Sequence, residues 1–251
     1  MHIIFLEGGV SVANSSKCRR FITRTLGVAV IAAVIVPAYF ISGGIYFHWV
    51  LGFGLLMAII EYVTVVCAFQ YVPLRFDEYI VTILVLVELL ASLLAASKLP
   101  LRLVGGCVLV CTATDISAYL AGTLLGGVLI KKRPFPKTSP NKSYEGLIFG
   151  IPLGVVAALV WTLLFKEMSS SFWRLALVAP LSVLGDLLES RFKRLYGVKD
   201  ANDFIIDVPV LGWLEKPLGG RNGHGGYLDR LDSLALTLMV QLVISLSSSS
   251  F

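Results

Sequence analysis

The sequence is poor in charge and offers no cysteine framework. Only 15% of its 251 residues are charged, against about a quarter in a soluble domain, while 57% are hydrophobic. Three of the four cysteines, Cys67, Cys107 and Cys111, lie within apolar runs, and Cys18 lies in a basic tail. No paired cysteine spacing is present. These features exclude a soluble globular domain, a disulfide-stabilised domain and a cysteine-based metal site, and they favour a polytopic membrane protein.

The first apolar run does not have the pattern expected of a cleavable signal peptide. The basic tail ends at Lys17-Cys18-Arg19-Arg20. The apolar run that follows is longer than the roughly 7 to 15 residues of a signal-peptide core, and no small-residue cleavage site closes it. We therefore predict that this run is retained as the first membrane span.

The sequence instead contains several long apolar runs. Each is close to the roughly 20 residues that a helix needs to cross the hydrocarbon core, and none alternates as the strands of a barrel would. The sequence thus predicts an all-α, polytopic transmembrane bundle of about seven spans. The predicted spans are 21–42, 45–70, 79–97, 103–129, 146–165, 172–190 and 228–247.

The distribution of Lys and Arg predicts the orientation. With a cytoplasmic N-terminus, 17 of the 21 basic residues lie inside and four outside, as the positive-inside rule requires. The bases follow span ends without interleaved aromatic residues, so we expect no nucleic-acid partner. The predicted organisation is a cytoplasmic tail (1–20), N-terminal transmembrane helices (21–100) and a catalytic transmembrane region (101–251) with cytoplasmic loops at 130–145 and 191–227.

Several acids lie inside the predicted spans, where an unpaired charge costs about 2.5 to 3.5 kcal/mol. For Glu61 and Glu88 we expect interhelical hydrogen bonds or pairing. Asp115 shares a helical face with Tyr119 and with the Gly122-x-x-x-Gly126 pair, whose simplest role is close helix packing.

Two pairs of acids stand at equivalent depths on two predicted helices. Asp186 and Glu189 are three residues apart on the sixth span, and Asp229 and Asp232 are three apart at the start of the last. Carboxylates from separate helices can bind one divalent cation, and hard oxygen ligands suit Mg²⁺. We predict Asp186, Asp229 and Asp232 as metal ligands. Interhelical salt bridges to neighbouring bases are the alternative.

Bases and glycines surround these acids. Arg191, Lys193, Arg194 and Lys199 fall within nine residues, and glycines flank His224. Backbone N–H groups of glycines can approach phosphate oxygens, which Lys and Arg neutralise. The residues alone thus indicate a cytoplasm-facing, metal-dependent site for phosphate-bearing substrates, at least one of them a lipid.

At these residues the sequence resembles the phosphatidate cytidylyltransferases, also called CDP-diacylglycerol synthases. The resemblance covers roughly residues 112 to 238. The matching segments are Asp115-Ile116-Ser117-Ala118-Tyr119, Ser139 to Gly146, Gly185-Asp186-Leu187-Leu188-Glu189-Ser190, Lys193-Arg194, Lys199-Asp200, His224-Gly225-Gly226 and Asp229-Arg230-Leu231-Asp232-Ser233.

The resemblance implies the transfer of a cytidylyl group from CTP to phosphatidate, with one or two cations including Mg²⁺. It implies catalytic roles for Asp186, Lys193, Arg194, Lys199, Asp200, His224, Asp229, Arg230 and Asp232. It implies substrate-binding roles for Asp115, Lys142, Glu145, Ser190, Gly225 and Gly226. The chain departs from the family pattern in a longer segment at 201–223, before His224.

Two other classes of function stay open from the residues. One is another transferase of phospholipid head groups, although the CDP-alcohol phosphotransferase spacing of acids is not found. The other is a transporter whose buried acids carry ions. The compact chain favours a bacterial inner membrane, and the sequence leaves open whether the protein forms a homodimer.

Overall fold

The computed structural model describes Pro37 and residues 39–69, 73–165, 172–198 and 226–248. Within these ranges every regular element is a helix, which confirms the predicted all-α class. A short 3-10 turn at Ile41–Gly44 precedes seven α-helices. They are α1 (Ile45–Ala68), α2 (Phe76–Lys98), α3 (Leu101–Leu124), α4 (Tyr144–Leu164), α5 (Phe172–Ala176), α6 (Val178–Leu195) and α7 (Leu228–Ser248).

Five of these helices, α1 to α4 and α7, are long and apolar enough to cross a membrane. Their outward faces carry large exposed apolar side chains, such as Ile83 on α2 and Val156 on α4. Lipid favours this arrangement, because a helix satisfies its own backbone hydrogen bonds while its apolar side chains face the acyl chains. The chain is an integral membrane bundle of helices.

The predicted number of seven spans is not confirmed. Five predicted spans agree with α1 to α4 and α7 to within five residues at either end, while most of 21–42 lies outside the described residues. The predicted span 172–190 is instead interrupted at Leu177, between α5 and α6. The interruption is slight, since Leu177 keeps helical φ and ψ angles of −64° and −22°, and Pro180 removes only the hydrogen bond to the carbonyl of Ala176. Charged side chains also make α6 too polar to count as an apolar span.

Glycines allow α3 and α4 to pack closely. Gly146, Gly150 and Gly154 recur every four residues on one face of α4. A Cβ at Gly150 would lie 2.7 Å from Cβ of Ala118, and a Cβ at Gly146 would lie 2.9 Å from the Ala118 carbonyl oxygen. Membrane helices associate largely through such close packing, because lipid supplies no hydrophobic driving force between them.

The N-terminal helices α1 and α2 share a core with α6 and α7, the two helices that carry the predicted acid pairs. Buried residues of α1 and α2 form one cluster with Phe192 of α6 and Leu228 of α7. Within it the rings of Tyr62 and Phe192 stack with centroids 4.9 Å apart. The core therefore extends across residue 100, the predicted boundary between the N-terminal helices and the catalytic region. Through this core, α1 and α2 can influence the position of α7.

One end of the bundle, called the charged end below, brings together the start of α2, the end of α3, the start of α4, the end of α6 and the start of α7. Asp77 of α2 lies 3.5 Å from Arg191 of α6. Lys142, just before α4, lies 2.7 Å from Asp186 of α6. Residues far apart in the sequence thus meet at this end.

The opposite end is fixed by a reciprocal polar contact between α5 and α7. Arg174 Nε donates to Gln241 Oε1 at 3.1 Å, and Gln241 Nε2 donates to the Arg174 carbonyl oxygen at 2.7 Å. Arg174 also donates to Ser245 Oγ at 2.7 Å. Because Gln241 is fully buried, these bonds satisfy groups that would otherwise be costly in an apolar core.

Candidate functional site

Three carboxylates of α6 and α7 converge at the charged end. Asp186, Glu189 and Asp232 each place one oxygen within 4.8 Å of the others, and we call them the acid cluster. Gly185 permits this approach, since a Cβ at that position would lie 2.5 Å from the Asp232 carbonyl oxygen. The spacing of Asp186 and Glu189 puts both on one face of α6, as the sequence predicts.

Glu189 is the buried member of the acid cluster. Its side chain is 3% exposed, and Oε2 forms an ion pair with Lys193 Nζ at 2.8 Å. Within the part of the chain that the structure describes, Oε1 has no hydrogen-bond partner. A buried carboxylate oxygen without such a partner is costly, so this side chain is suited to receive a cation.

Glu189 was not among the predicted ligands, and Asp229 was. In the structure Asp229 Oδ1 pairs with Lys193 Nζ, while Asp229 Oδ2 accepts a hydrogen bond from the backbone N–H of Gly226 at 2.7 Å. Asp229 thus lies beside the acid cluster, joined to it through the ammonium group of Lys193. The three-residue spacing from Asp186 was the signal that could have placed Glu189 in the acid cluster.

Lys142 brings a second ammonium group to the acid cluster. Its Nζ lies 2.7 Å from Asp186 Oδ2 and donates to the carbonyl oxygen of Val183 at 3.4 Å. Ser190 Oγ donates to the other oxygen of Asp186 at 3.2 Å. The predicted substrate-binding residues Lys142 and Ser190 therefore both contact a predicted metal ligand.

Asp115 approaches the same region from α3. Its carboxylate hydrogen-bonds the side chain of Ser233 and lies near the charges of Asp186 and Lys142. The residue is nevertheless exposed, which places it on the accessible rim of the acid cluster. Further along α3, a Cβ on Gly122 would lie 3.2 Å from Ser143 Oγ, as expected for close packing, whereas Gly126 lies beyond the end of α3 and a Cβ there would first collide with the Gly122 carbonyl oxygen of its own segment.

Glu145 is fully buried at the start of α4 and holds the preceding loop. Its Oε1 accepts hydrogen bonds from the backbone N–H groups of Gly127, Leu129 and Ile130 at 3.1, 3.1 and 2.9 Å. Gly127 has a φ of 84°, a conformation that favours glycine. Glu145 therefore fixes the path of the chain from α3 towards Lys142, and its predicted contact with substrate remains a prediction.

The remaining predicted residues fall into two groups. Arg194 donates to the carbonyl oxygen of Val198 at 3.3 Å, and Arg230 is half-buried in the first turn of α7. Both lie at the charged end. Four others lie outside the described residues, as does the segment 201–223: Lys199, Asp200, His224 and Gly225.

This arrangement combines hard oxygen ligands with several bases. The acid cluster can hold a divalent cation, because Asp186, Glu189 and Asp232 offer oxygens that converge on one point. The bases beside it can contact phosphate oxygens. The charged end can therefore bind a phosphorylated substrate together with a metal ion.

Comparison with known proteins gives a consistent result. The sequence model of the cytidylyltransferase family matches residues 11–207, which is more than half of the chain. A protein of Staphylococcus haemolyticus named phosphatidate cytidylyltransferase is 38% identical over 134 residues, 52% of this chain and 44% of that protein.

Proteins of the same name from other bacteria are similar. One from Helicobacter pylori is 37% identical over 141 residues, 53% of this chain and 44% of that protein. One from Haemophilus influenzae is 38% identical over 129 residues, 49% of this chain and 38% of that protein. The chain thus matches less than half the length of each of these relatives.

Proposed function

Because the chain belongs to the cytidylyltransferase family, we propose that it transfers a cytidylyl group from CTP to phosphatidate, giving CDP-diacylglycerol and pyrophosphate. The observation that carries this proposal is the acid cluster, met by Lys142 and Lys193 at one end of a membrane bundle. Similarity to proteins named phosphatidate cytidylyltransferase supports it.

The proposed reaction exchanges one phosphoanhydride bond for another. An oxygen of the lipid phosphate forms a bond to the α-phosphorus of CTP. The bond from that phosphorus to the oxygen bridging the α- and β-phosphates breaks, and pyrophosphate leaves with the electron pair. A phosphate monoester has a second pKa of about 6, so its oxygen is already ionised at neutral pH and needs no dedicated general base.

Asp186, Glu189 and Asp232 would hold the metal ion, with Asp229 beside them. The buried Oε1 of Glu189, which has no hydrogen-bond partner among the described residues, fits this role. When bound, Mg²⁺ would neutralise phosphate oxygens of both substrates and favour their in-line approach, and a second cation could share the task. The chain's own contribution is to hold the carboxylates on two helices, α6 and α7. These helices are in such close contact at Gly185 that a side chain would not fit there.

The bases would bind the triphosphate and stabilise the departing pyrophosphate. We assign this role to Lys193, Arg194, Lys199 and Arg230. Asp200 would orient Lys199, and His224 would contact a phosphate together with the backbone of Gly225, whereas the N–H of Gly226 donates to Asp229 Oδ2. Lys142, Asp115 and Ser190 would line the entrance for the lipid phosphate, while Glu145 supports the loop that carries Lys142.

The proposed location is a bacterial inner membrane with the charged end facing the cytoplasm, where CTP is available. The bias of Lys and Arg supports this orientation. Phosphatidate would then approach the charged end from the cytoplasmic leaflet.

Asp186→Asn tests the metal assignment in the purified protein. Loss of a residue that only orients a metal ligand costs about 10- to 100-fold, so loss of a ligand should lower the rate of CDP-diacylglycerol formation at least about 100-fold. The matched control is Asp77→Asn, because Asp77 is an exposed acid at the same end that pairs with Arg75 and Arg191. Wild-type turnover in a folded Asp186→Asn protein would overturn the assignment.

A further inference from the structure

Glu61, in the N-terminal helix α1, binds the start of α7. Its carboxylate is 1% exposed. Oε1 accepts a hydrogen bond from the backbone N–H of Tyr227, and Oε2 accepts one from that of Leu228, both at 2.7 Å. The first N–H groups of a helix have no partner within it. Glu61 thus supplies, from a different helix, the acceptors for two backbone N–H groups at the start of α7.

Gly226 leaves space for this carboxylate because it has no side chain. A Cβ at Gly226 would overlap Glu61 Oε2 and would lie 2.7 Å from Cδ and 2.8 Å from Oε1. Real Cβ atoms essentially never approach other heavy atoms so closely. A side chain at this position would therefore displace the Glu61 carboxylate, so the packing of Glu61 favours a glycine here, in addition to any contact of the glycine cluster with phosphate.

The same segment connects directly to the acid cluster. The N–H of Gly226 donates to Asp229 Oδ2 at 2.7 Å, and Asp229 Oδ1 pairs with Lys193. Lys193 in turn lies 2.8 Å from Glu189. A continuous series of polar contacts thus leads from Glu61 through the first turn of α7 to the acids of α6. Asp232 follows Asp229 by three residues on the same helix.

The surrounding packing keeps Glu61 in this position. Ala58, Tyr62 and Val65 of α1 are buried in the core that contains Leu228. A Cβ at Gly54, two turns before Glu61, would lie 3.2 Å from Leu231 Cδ1. Burial of a carboxylate is costly, but two charge-assisted hydrogen bonds at the positive end of a helix dipole offset the cost.

We propose that Glu61 is a positioning residue that sets the rotation and depth of α7, so that Asp229 and Asp232 face the acids of α6. The expected effect of Glu61 on turnover rests on the proposed function, whereas its effect on cation binding can be measured without any substrate. Glu61 lies outside the segments by which the sequence resembles the phosphatidate cytidylyltransferases.

The first test measures Mn²⁺ binding by electron paramagnetic resonance, with no nucleotide or lipid substrate. Glu61→Gln should weaken Mn²⁺ binding by about tenfold or more, the effect expected when a partner that orients metal ligands is lost. A carboxamide offers one acceptor oxygen and turns its own N–H₂ group towards the second backbone donor. The matched control is Tyr62→Phe, which removes a buried hydrogen bond from the same helix to α2, donated by Tyr62 Oη to the Thr82 carbonyl oxygen at 2.8 Å, and it should leave the Mn²⁺ affinity unchanged.

The second test uses the contact between Glu61 and Gly226. Gly226→Ala alone should weaken Mn²⁺ binding, because the new Cβ displaces the carboxylate. In a Glu61→Ala background the same substitution should have little further effect, since the colliding group is gone. Residues in contact give such non-additive effects, whereas fully additive losses of affinity would contradict direct coupling.

Turnover measurements separate positioning from stability alone. In proteoliposomes Glu61→Gln should lower kcat and raise the Mg²⁺ concentration needed for half-maximal rate, with little change in the KM for phosphatidate. A purely structural role would lower the unfolding temperature and leave the Mn²⁺ affinity of the folded protein unchanged.

Failure of the positioning role can be distinguished from failure of the proposed function. Wild-type protein that binds Mn²⁺ but forms no CDP-diacylglycerol would overturn the proposed function and leave the positioning role to be decided by Mn²⁺ affinity. Unchanged affinity in folded Glu61→Gln overturns the positioning role, as does wild-type protein that binds no Mn²⁺. Should Glu61→Gln fail to fold, Gly226→Ala decides, and unchanged affinity in that variant would overturn the role.

Discussion

Lys193 lies between two acids, Glu189 of its own helix and Asp229 of α7. The Lys193 and Asp229 side chains are each 11% exposed and that of Glu189 is 3% exposed, so the ammonium group neutralises carboxylates that water cannot reach well. Removing one partner of a buried pair leaves an uncompensated charge and typically costs about 3–5 kcal/mol.

We expect Lys193→Met to lower the free energy of unfolding in detergent by about 3–5 kcal/mol and to abolish turnover. Glu189→Gln added to Lys193→Met should recover part of the stability, because it removes one of the two orphaned charges, but it should not recover activity. Denaturant titration of the purified proteins measures the first effect, and CTP turnover measures the second.

Arg191→Gln is the control for this substitution. Arg191 also belongs to α6 and also pairs with an acid, but its side chain and that of Asp77 are about half exposed and their charged atoms are 3.5 Å apart. Exposed pairs contribute about 0–1 kcal/mol. A loss in Arg191→Gln as large as that in Lys193→Met would show that burial is not the reason for the importance of Lys193.

The contact of α3 with α4 determines where the loop carrying Lys142 begins and ends. Gly150 is central to this contact, since a Cβ there would lie 2.7 Å from that of Ala118. We expect Gly150→Ala to destabilise the protein by about 1–3 kcal/mol, the usual cost of overpacking. Thermal unfolding in detergent measures the change, and turnover should fall with it because Lys142 shifts relative to Asp186.

Gly52→Ala provides the same chemical change on α1 without the contact. A Cβ at Gly52 would meet nothing within 4 Å. Alanine has the higher helix propensity by about 1 kcal/mol, so this variant should be as stable as wild type or slightly more so. Equal destabilisation by the two substitutions would contradict the packing account.

Taken as a whole, the molecule divides into features that a sequence can specify and features that depend on tertiary contacts. Hydrophobic run length predicts the bounds of α1 to α4 and α7 to within five residues, because lipid leaves few alternatives to a helix of about 20 residues. The interruption at Leu177 was not predicted, and Pro180 alone does not specify it, because Pro152 lies inside the unbroken helix α4.

The acid cluster was predicted in part. Helical spacing placed Asp186 and Glu189 on one face, and the motif identified Asp186 and Asp232. Whether Glu189 or Asp229 lies nearer to Asp186 and Asp232 depends on where Lys193 lies between α6 and α7, which no spacing within a single helix specifies. Glu61 gave only the signal of an acid in an apolar run, since its partners are 166 and 167 residues away.

The most direct test of the proposed reaction is label transfer in proteoliposomes containing the wild-type protein. CTP labelled at its α-phosphate is supplied with Mg²⁺, first without phosphatidate and then with it. We predict that label enters the lipid fraction only when phosphatidate is present, with one pyrophosphate released for each labelled lipid. A folded protein that binds Mn²⁺ but forms no labelled lipid under these conditions would contradict the account.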